Sequence, residues 1–417
     1  MFIKRLKLLN ERIFWILILI ILIRVLLVLL PSFRIDMTDW QAWTQRLVQL
    51  TPLRFYSPDY FSDYFPGYLY ILWFLGLFFK VLFPHLSLFS FGFEIYLKLL
   101  TNIFDLATAY YIYKIISRYK KGLGISSAIF YLINPALTFN SSVWGQVDGI
   151  LTFFLVYSSY CLLELKKIYR FSISFALSSL VKPQGTAIFP IMLTYLITNY
   201  RFSKYLSLLI IPLCLMLLSL PFFLKDPIFG LFHLFQKSTS TYPYTSMFSY
   251  NFWSFAGWWI PDSHSFLNIP YRTWGIIIYL FFLILILFPL TFKKGYKKNS
   301  LVYFAISLAI FAFFLFLTRI HQRYLYPFFA FLLITAFIHN SLRLKAIYII
   351  LSLIHFINLW YVYYYYNFVY PNQQFASLFI YQLLNQSYNL FTLLNLIGFG
   401  VLLLVYYRSS YSIKNSK

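Results

Sequence analysis

Acidic residues are scarce in this chain: 11 Asp and Glu stand against 34 Lys and Arg in 417 residues. That shortage excludes the mixed-charge surface of an ordinary soluble domain and makes each remaining carboxylate conspicuous. Cysteine is scarcer still. Cys161 and Cys214 both sit in apolar runs, so neither a disulfide framework nor a cysteine metal cluster is available. No G-x-G-x-x-G and no P-loop occurs, so nothing points to a nucleotide-borne substrate. A formal net charge of +23 invites a nucleic-acid reading, but no basic stripe is interleaved with polar surface.

What the chain does have is apolar length. It is 61% hydrophobic and 24% aromatic, and apolar runs near twenty residues recur throughout. This predicts an all-α polytopic membrane protein of a single domain over 1–417, with about eleven or twelve transmembrane helices. The first run, 13–31, follows Lys4, Arg5, Lys7 and Arg12 without a small-residue cleavage site and reads as a retained signal anchor. Further spans are expected at 94–116, 122–141, 148–165, 171–181 continuing as 186–199, 204–224, 274–292, 299–317, 324–341, 346–366 and 389–407.

With these spans, 22 Lys and Arg fall on one side with only Glu11 and Glu164. Their placement follows the positive-inside rule, which predicts cytoplasmic termini in a multi-pass cell-membrane protein. The basic turns 114–121, 166–170, 201–204, 293–298, 343–345 and 408–417 then lie inside. The long loops 32–93 and 225–273 lie outside, joined there by the turns at 141–148, 318–323 and 367–388. No soluble inner domain remains, so chemistry belongs on the outer face.

The charge parity forces two unusual features. The apolar run 67–83 cannot be a crossing, and reads as an interfacial helix with Tyr68, Tyr70 and Trp73 at headgroup level. The stretch 171–199 must enter and return within some thirty residues, too short for two full helices at about 1.5 Å per residue. Two half-length helices meeting at Val181-Lys182-Pro183-Gln184-Gly185 satisfy it. Irregular backbone at membrane depth is tolerated where it lines a cavity, so Lys182 either faces a site or snorkels from an ordinary helix end.

The polar residues with chemistry collect on the outer loops. Asp36 and Asp39 follow the first run, with Trp40 and Trp43 behind them; a carboxylate there can serve as a general base or simply cap the helix that follows. Asp59 and Asp63 precede a Pro-Gly turn and read as turn formers. In Trp144-Gly145-Gln146-Val147-Asp148-Gly149, Asp148 can cap a helix, contact a sugar, or hold a divalent ion with Asp36. Thr318-Arg319-Ile320-His321-Gln322-Arg323 gathers two guanidiniums and an imidazole at a helix entry, which suits a phosphate. Arg24 and Asp105 are isolated charges in apolar helices, each expected to be paired or functional. Tyr244 and Asn251 in the second long loop offer a stacking face and an amide for carbohydrate or isoprenoid contact.

Asp36, then Asp63-Tyr64-Phe65-Pro66-Gly67-Tyr68, then Asn134-Pro135 through Trp144-Gly145-Gln146-Val147-Asp148-Gly149, then Lys182-Pro183-Gln184, then His321-Gln322-Arg323-Tyr324-Leu325 occur here in one order. That series resembles the GT-C glycosyltransferases across nearly the whole chain, and more narrowly the bacterial and archaeal relatives of the GPI-anchor mannosyltransferases. The resemblance implies a GT-C fold whose first outer loop carries interfacial helices and the catalytic residue. It implies an inverting transfer of a hexose, with mannose favoured, from a polyprenyl-phosphate carrier to a hydroxyl on a glycan, lipid or protein. By that likeness Asp36 is the base, Lys182 and the His321 to Arg323 cluster hold the donor phosphate, and Trp144, Gln146 and Asp148 form an outer turn near the active site. Side-chain chemistry adds Gln184 and Arg319 to the phosphate site and Asp39, Gln322, Tyr244 and Asn251 to the sugar or acceptor. Relatives commonly carry Glu where this chain has Gln322.

No cofactor is required by these residues, and a divalent ion remains open. Two other classes fit the same composition: a lipid-linked oligosaccharide polymerase or ligase, for which Asp36 has no stated role, and a lipid-linked sugar transporter, whose polar residues belong at the midplane.

Overall fold

Proline, paired charge and aromatic packing divide this chain into short and long helices. The computed structural model describes residues 2–291 and 297–412; Met1, 292–296 and 413–417 lie outside, and with them most of the expected basic turn 293–298 and the end of the basic tail. The described chain is 78% helical, with sixteen α-helices and almost no sheet. Among the described residues, five helical segments are long and apolar enough to cross a membrane: Phe202–Ser219, Tyr271–Thr291, Asn299–Phe316, Leu342–Val369 and Phe379–Ser410. By length and composition this marks an all-α membrane protein.

Burial sorts the helices into a centre and a periphery. Every residue of Tyr326–Ile338 is buried, as a helix apolar on all sides should be when protein surrounds it. Lys297–Phe316 packs beside it and is likewise largely enclosed. Phe202–Ser219 and Tyr271–Thr291 instead expose apolar side chains such as Leu213, Leu217, Phe281 and Ile284, as lipid-facing helices do.

The expected half-length pair is present. Ile168–Val181 ends at Lys182, Pro183–Ile188 forms a 3-10 turn, and Phe189–Asn199 continues. The expected helix over 122–141 is not continuous. Gly124–Leu132 stops before Asn134-Pro135, a short helix Pro135–Thr138 follows, and 139–144 closes as a π-helix. The reason is local: Pro135 has no N–H to donate, and the Asn134 side-chain Oδ1 accepts from the backbone N–H groups of Ala136 and Leu137. The last helix, Phe379–Ser412, starts ten residues before the apolar pattern does.

Pro66–Leu82 is the helix that charge parity had set apart. It lies against Arg34–Leu50, with Gly76 over Thr44 and Val48. Tyr68 does not reach outward as expected; it is 3% exposed and packs edge-on against Trp40. At the start of this helix Gly67 meets the other key break. A Cβ there would sit 2.6 Å from the Leu180 carbonyl carbon, so only glycine lets this helix abut the end of Ile168–Val181.

Candidate active site

Arg34–Leu50 begins after Phe33, whose extended backbone turns the chain and whose ring stacks on Trp144 at 4.2 Å. Asp36 therefore falls in the first helical turn, where the helix dipole favours negative charge. Its Oδ2 accepts from Trp144 Nε1 at 2.8 Å and from Gln146 Nε2 at 2.5 Å. Both donors come from one turn because Gly145 adopts φ +87, which reverses the chain between them. The capping reading of Asp36 is thereby corrected: Phe33 holds the N-cap position, and the carboxylate is aimed elsewhere by two N–H groups.

Gln146 joins Asp36 to the helix break. Its Oε1 accepts from Lys182 Nζ at 3.2 Å, and Lys182 donates to Asp148 Oδ1 at 2.6 Å. Asp148 Oδ2 accepts in turn from Asn140 Nδ2 at 3.1 Å. A row runs from the half-buried Asp36 through the buried Gln146, Lys182, Asp148 and Asn140. Asp148 does not cap its helix, since Val147 occupies the N-cap; it balances the charge of Lys182. Trp144, Gln146 and Asp148 are all buried, and Trp144 and Gln146 hold the Asp36 carboxylate while Asp148 holds Lys182.

The cation cluster separates into unlike roles. Arg319 is held in a left-handed conformation, φ 64, and its guanidinium grips Asp262 at 2.7 and 3.2 Å and the Thr239 carbonyl at 2.8 Å. That pairing anchors the second long loop, which also joins by a parallel bridge, Ser246 to Ile320 and Met247 to His321. Arg323 forms no ion pair among the described residues, and its Nε has no hydrogen-bond partner. His321 packs edge-on against Tyr242, with Nδ1 3.4 Å from Arg323 Nη1. Burial first, then the charges of Arg323 and Lys182, holds the His321 pKa well below its ordinary value, so it serves as a neutral imidazole.

Two cavities meet here. The larger, about 480 Å³, is lined by Lys182, Gln184, Arg319, His321 and Arg323 at its polar end and by Ile276, Phe313 and Leu317 further along. The smaller, about 130 Å³, holds Asp36, Asp39 and Gln322 beside Trp40 and Trp43. Asp63, Tyr64, Tyr242, His321 and Arg323 belong to both walls. Asp36 and Arg323 thus face the smaller cavity together, and Arg323 and His321 also face the larger. Burial and the neighbouring Asp36 and Asp63 push the Asp39 pKa up to about 7. Burial also raises Asp63, partly offset by Arg323.

Of the residues expected from sequence, Asp36, Asp39, Lys182, Gln184, Arg319, His321, Gln322 and Arg323 line these cavities. Tyr244 and Asn251 line neither: Tyr244 bridges to Pro261 and stacks near Trp259, and Asn251 is buried, donating to the Phe314 carbonyl. Asp36 and Asp148 do not form a cation cage, because Gln146 lies between them and a lysine occupies Asp148. Sequence reading takes Asp63 as a turn former, gives Tyr64 no role of its own, offers Tyr242 beside Tyr244 as a stacking face for carbohydrate or isoprenoid, and does not single out Asn140. The Asp63-Tyr64 stretch itself was the available signal; Asn140 carries none, being one of several small polar residues between Thr138 and Ser142.

No protein-family model matches this chain, and no curated protein matches it.

Proposed function

We propose that the protein is an inverting hexosyltransferase of the GT-C type, acting at the outer membrane face on a polyprenyl-phosphate-linked sugar. The observation that carries this reading is the pair of adjoining cavities whose shared wall holds Arg323, without an ion-pair partner among the described residues, and whose smaller member also holds the oriented Asp36. A phosphate-borne donor suits the cationic end, and its isoprenoid suits the apolar wall of Ile276, Phe313 and Leu317. An acceptor hydroxyl suits the small aromatic end.

The chemistry is one displacement. Asp36 takes the acceptor O–H proton, the oxygen forms a bond to the sugar anomeric carbon, and the bond from that carbon to the phosphate oxygen breaks. The electron pair leaves with the polyprenyl phosphate, whose charge Arg323 meets, with His321 donating a neutral hydrogen bond and Lys182 adding its field. Arg319, committed to Asp262, shapes the wall. The hexose is mannose by the sequence resemblance alone, and the termini are cytoplasmic by the charge rule.

The test is transfer from a panel of polyprenyl-phosphate hexoses to membrane lipid extracts, with protein in nanodiscs. Asp36→Asn keeps shape and the hydrogen bonds' geometry but removes the base, so transfer should fall by about a hundredfold or more. No transfer from any such donor, or full activity in Asp36→Asn, overturns the assignment.

A further inference from the structure

The smaller cavity holds more polar chemistry than one proton transfer uses. Asp36, Asp39 and Asp63 line it, against Arg323 as the single permanent cation among the described residues. On this wall the displacement draws on Asp36, His321 and Arg323. Asp39 and Gln322 are left over, and neither side chain has a hydrogen-bond partner among the described residues. Gln322 opens the 3-10 turn Gln322–Leu325, directly after the strand pairing that fixes His321 beside Met247. It is 2% exposed, yet it lines the cavity, and its amide is not sealed into the core as Gln41 Nε2 and Asn251 Oδ1 are. An amide taken out of bulk water with no partner of its own destabilises the fold, so its use lies with what enters the cavity.

Asp39 lies about one helical turn beyond Asp36 on the same wall. With its pKa raised to about 7 by burial and by Asp36 and Asp63, it is often protonated near neutral pH and then both donates and accepts. The Gln322 amide also does both, and so does a hydroxyl. Charge narrows the occupant further. Carboxylates outnumber cations on this wall, so a phosphate or a carboxylate brought into it is repelled, whereas the larger cavity gathers Lys182, Arg319 and Arg323. Trp40, Trp43, Trp259 and Tyr366 supply ring faces. A lone hydroxyl, on a serine or a fatty alcohol, would engage Asp36 and leave Asp39 and Gln322 unmet. A pyranose meets all three with neighbouring hydroxyls and lays its C–H faces on the aromatic rings.

We propose that the smaller cavity is a subsite for an uncharged pyranose, read by Gln322 and Asp39 beside Asp36, and hence that the acceptor is a sugar already in place rather than a protein or lipid hydroxyl. Only the word acceptor rests on the transferase reading; the sugar site itself does not. The protein then extends a glycan, and a reaction that attaches a neutral sugar must precede it.

The measurement is saturation-transfer NMR on the full-length protein in nanodiscs, with methyl gluco-, galacto- and mannopyranoside set against methyl glucuronide, methyl galacturonide and N-acetylserine amide. At least one neutral pyranoside should bind, and the uronides and the serine amide should bind about tenfold more weakly or not at all. Gln322→Leu should weaken that pyranoside about tenfold, the worth of one or two hydrogen bonds, while Gln322→Glu, of the same shape, should keep most of its binding. A farnesyl ester of a C-mannosyl phosphonate, a donor mimic unable to transfer its sugar, should not displace it. Equal binding of a uronide or of the serine amide, or no binding of any pyranoside, overturns the proposal. So does binding indifferent to Gln322→Leu, and so does displacement by the farnesyl mimic, which assigns the cavity to the donor sugar. The comparison of neutral with charged sugars needs no variant, and it reads binding without turnover. Asp36→Asn with full transfer activity therefore strikes the transferase reading while leaving the sugar-binding result intact.

Discussion

Two arginines four residues apart have opposite positions in the electrostatics. Arg319 is spent on a buried carboxylate, and Arg323 pairs with none among the described residues. Arg323→Ala should therefore weaken transfer by roughly tenfold to a hundredfold, the worth of charge-assisted bonds to a phosphate, with thermal stability nearly unchanged. Arg319→Ala should behave the other way. It strands Asp262, so it should cost on the order of 2 kcal/mol of stability, less than a fully buried pair because Arg319 is partly exposed. Paired melting and transfer measurements separate the two; equal effects would mean that the cluster acts as one unit. Asp39 supplies a pH dependence at the same scale. Its folded pKa of about 7 lies above the ordinary 3.8, so folding binds a proton there and the folded state loses stability as pH rises between those values. Asp39→Asn should flatten the melting-temperature profile over that window and raise the midpoint at pH 8 relative to the unmodified protein. A profile unchanged by the substitution would assign the titration elsewhere.

Elements were legible in sequence where their boundaries come from local chemistry. Pro183 and Gly185 inside an apolar stretch showed the two half-helices, and charge parity set Pro66–Leu82 apart from the crossings. Asn134-Pro135 had the same breaker chemistry, but with apolar residues on both sides it was read through as one helix. The early start of Phe379–Ser412 was hidden for another reason: Gln382, Asn385, Gln386 and Asn389 interrupt the apolar pattern, and tertiary packing carries the helix through them. Contacts between elements were out of reach from spacing alone. Gly67 is the clearest case, since its need for glycine comes from the Leu180 backbone, over a hundred residues away. Gly67→Ala must push the start of Pro66–Leu82 off the break that carries Lys182. We expect about 1–3 kcal/mol of destabilisation, as for overpacking, and a loss of transfer larger than the stability change explains. Normal transfer in a normally folded Gly67→Ala protein would show that this abutment does not position the site.

At the scale of the whole molecule, the pattern of apolar runs told which segments are helical, and the isolated Arg24 and Asp105 told that a partner was needed without naming it. The structure shows that they answer each other. Arg24 Nη1 meets Asp105 at 2.8 Å and Asn102 at 2.9 Å, Arg24 Nε donates to the Leu132 carbonyl, and Tyr326 donates to Asp105 at 2.6 Å. One knot thus ties the first helix, Phe91–Tyr119, the end of Gly124–Leu132 and the fully buried Tyr326–Ile338. It also fixes the first helix, which otherwise makes few contacts, beside the 139–144 turn that leads into Trp144. Removing one partner leaves a buried charge without an answer, so Arg24→Met should destabilise by about 3–5 kcal/mol. The double change Arg24→Met with Asp105→Leu removes both charges and should recover most of that loss, because a buried pair and a packed apolar pair of similar volume are nearly equivalent in stability. What the double variant cannot restore is geometry: Asn102 loses the guanidinium that donates to it, and Tyr326 loses the carboxylate that accepts from it. If the knot serves only stability, transfer returns with the melting temperature. If it serves to hold the first helix beside Asp36, stability returns and transfer does not, and the comparison of the two recoveries decides between them.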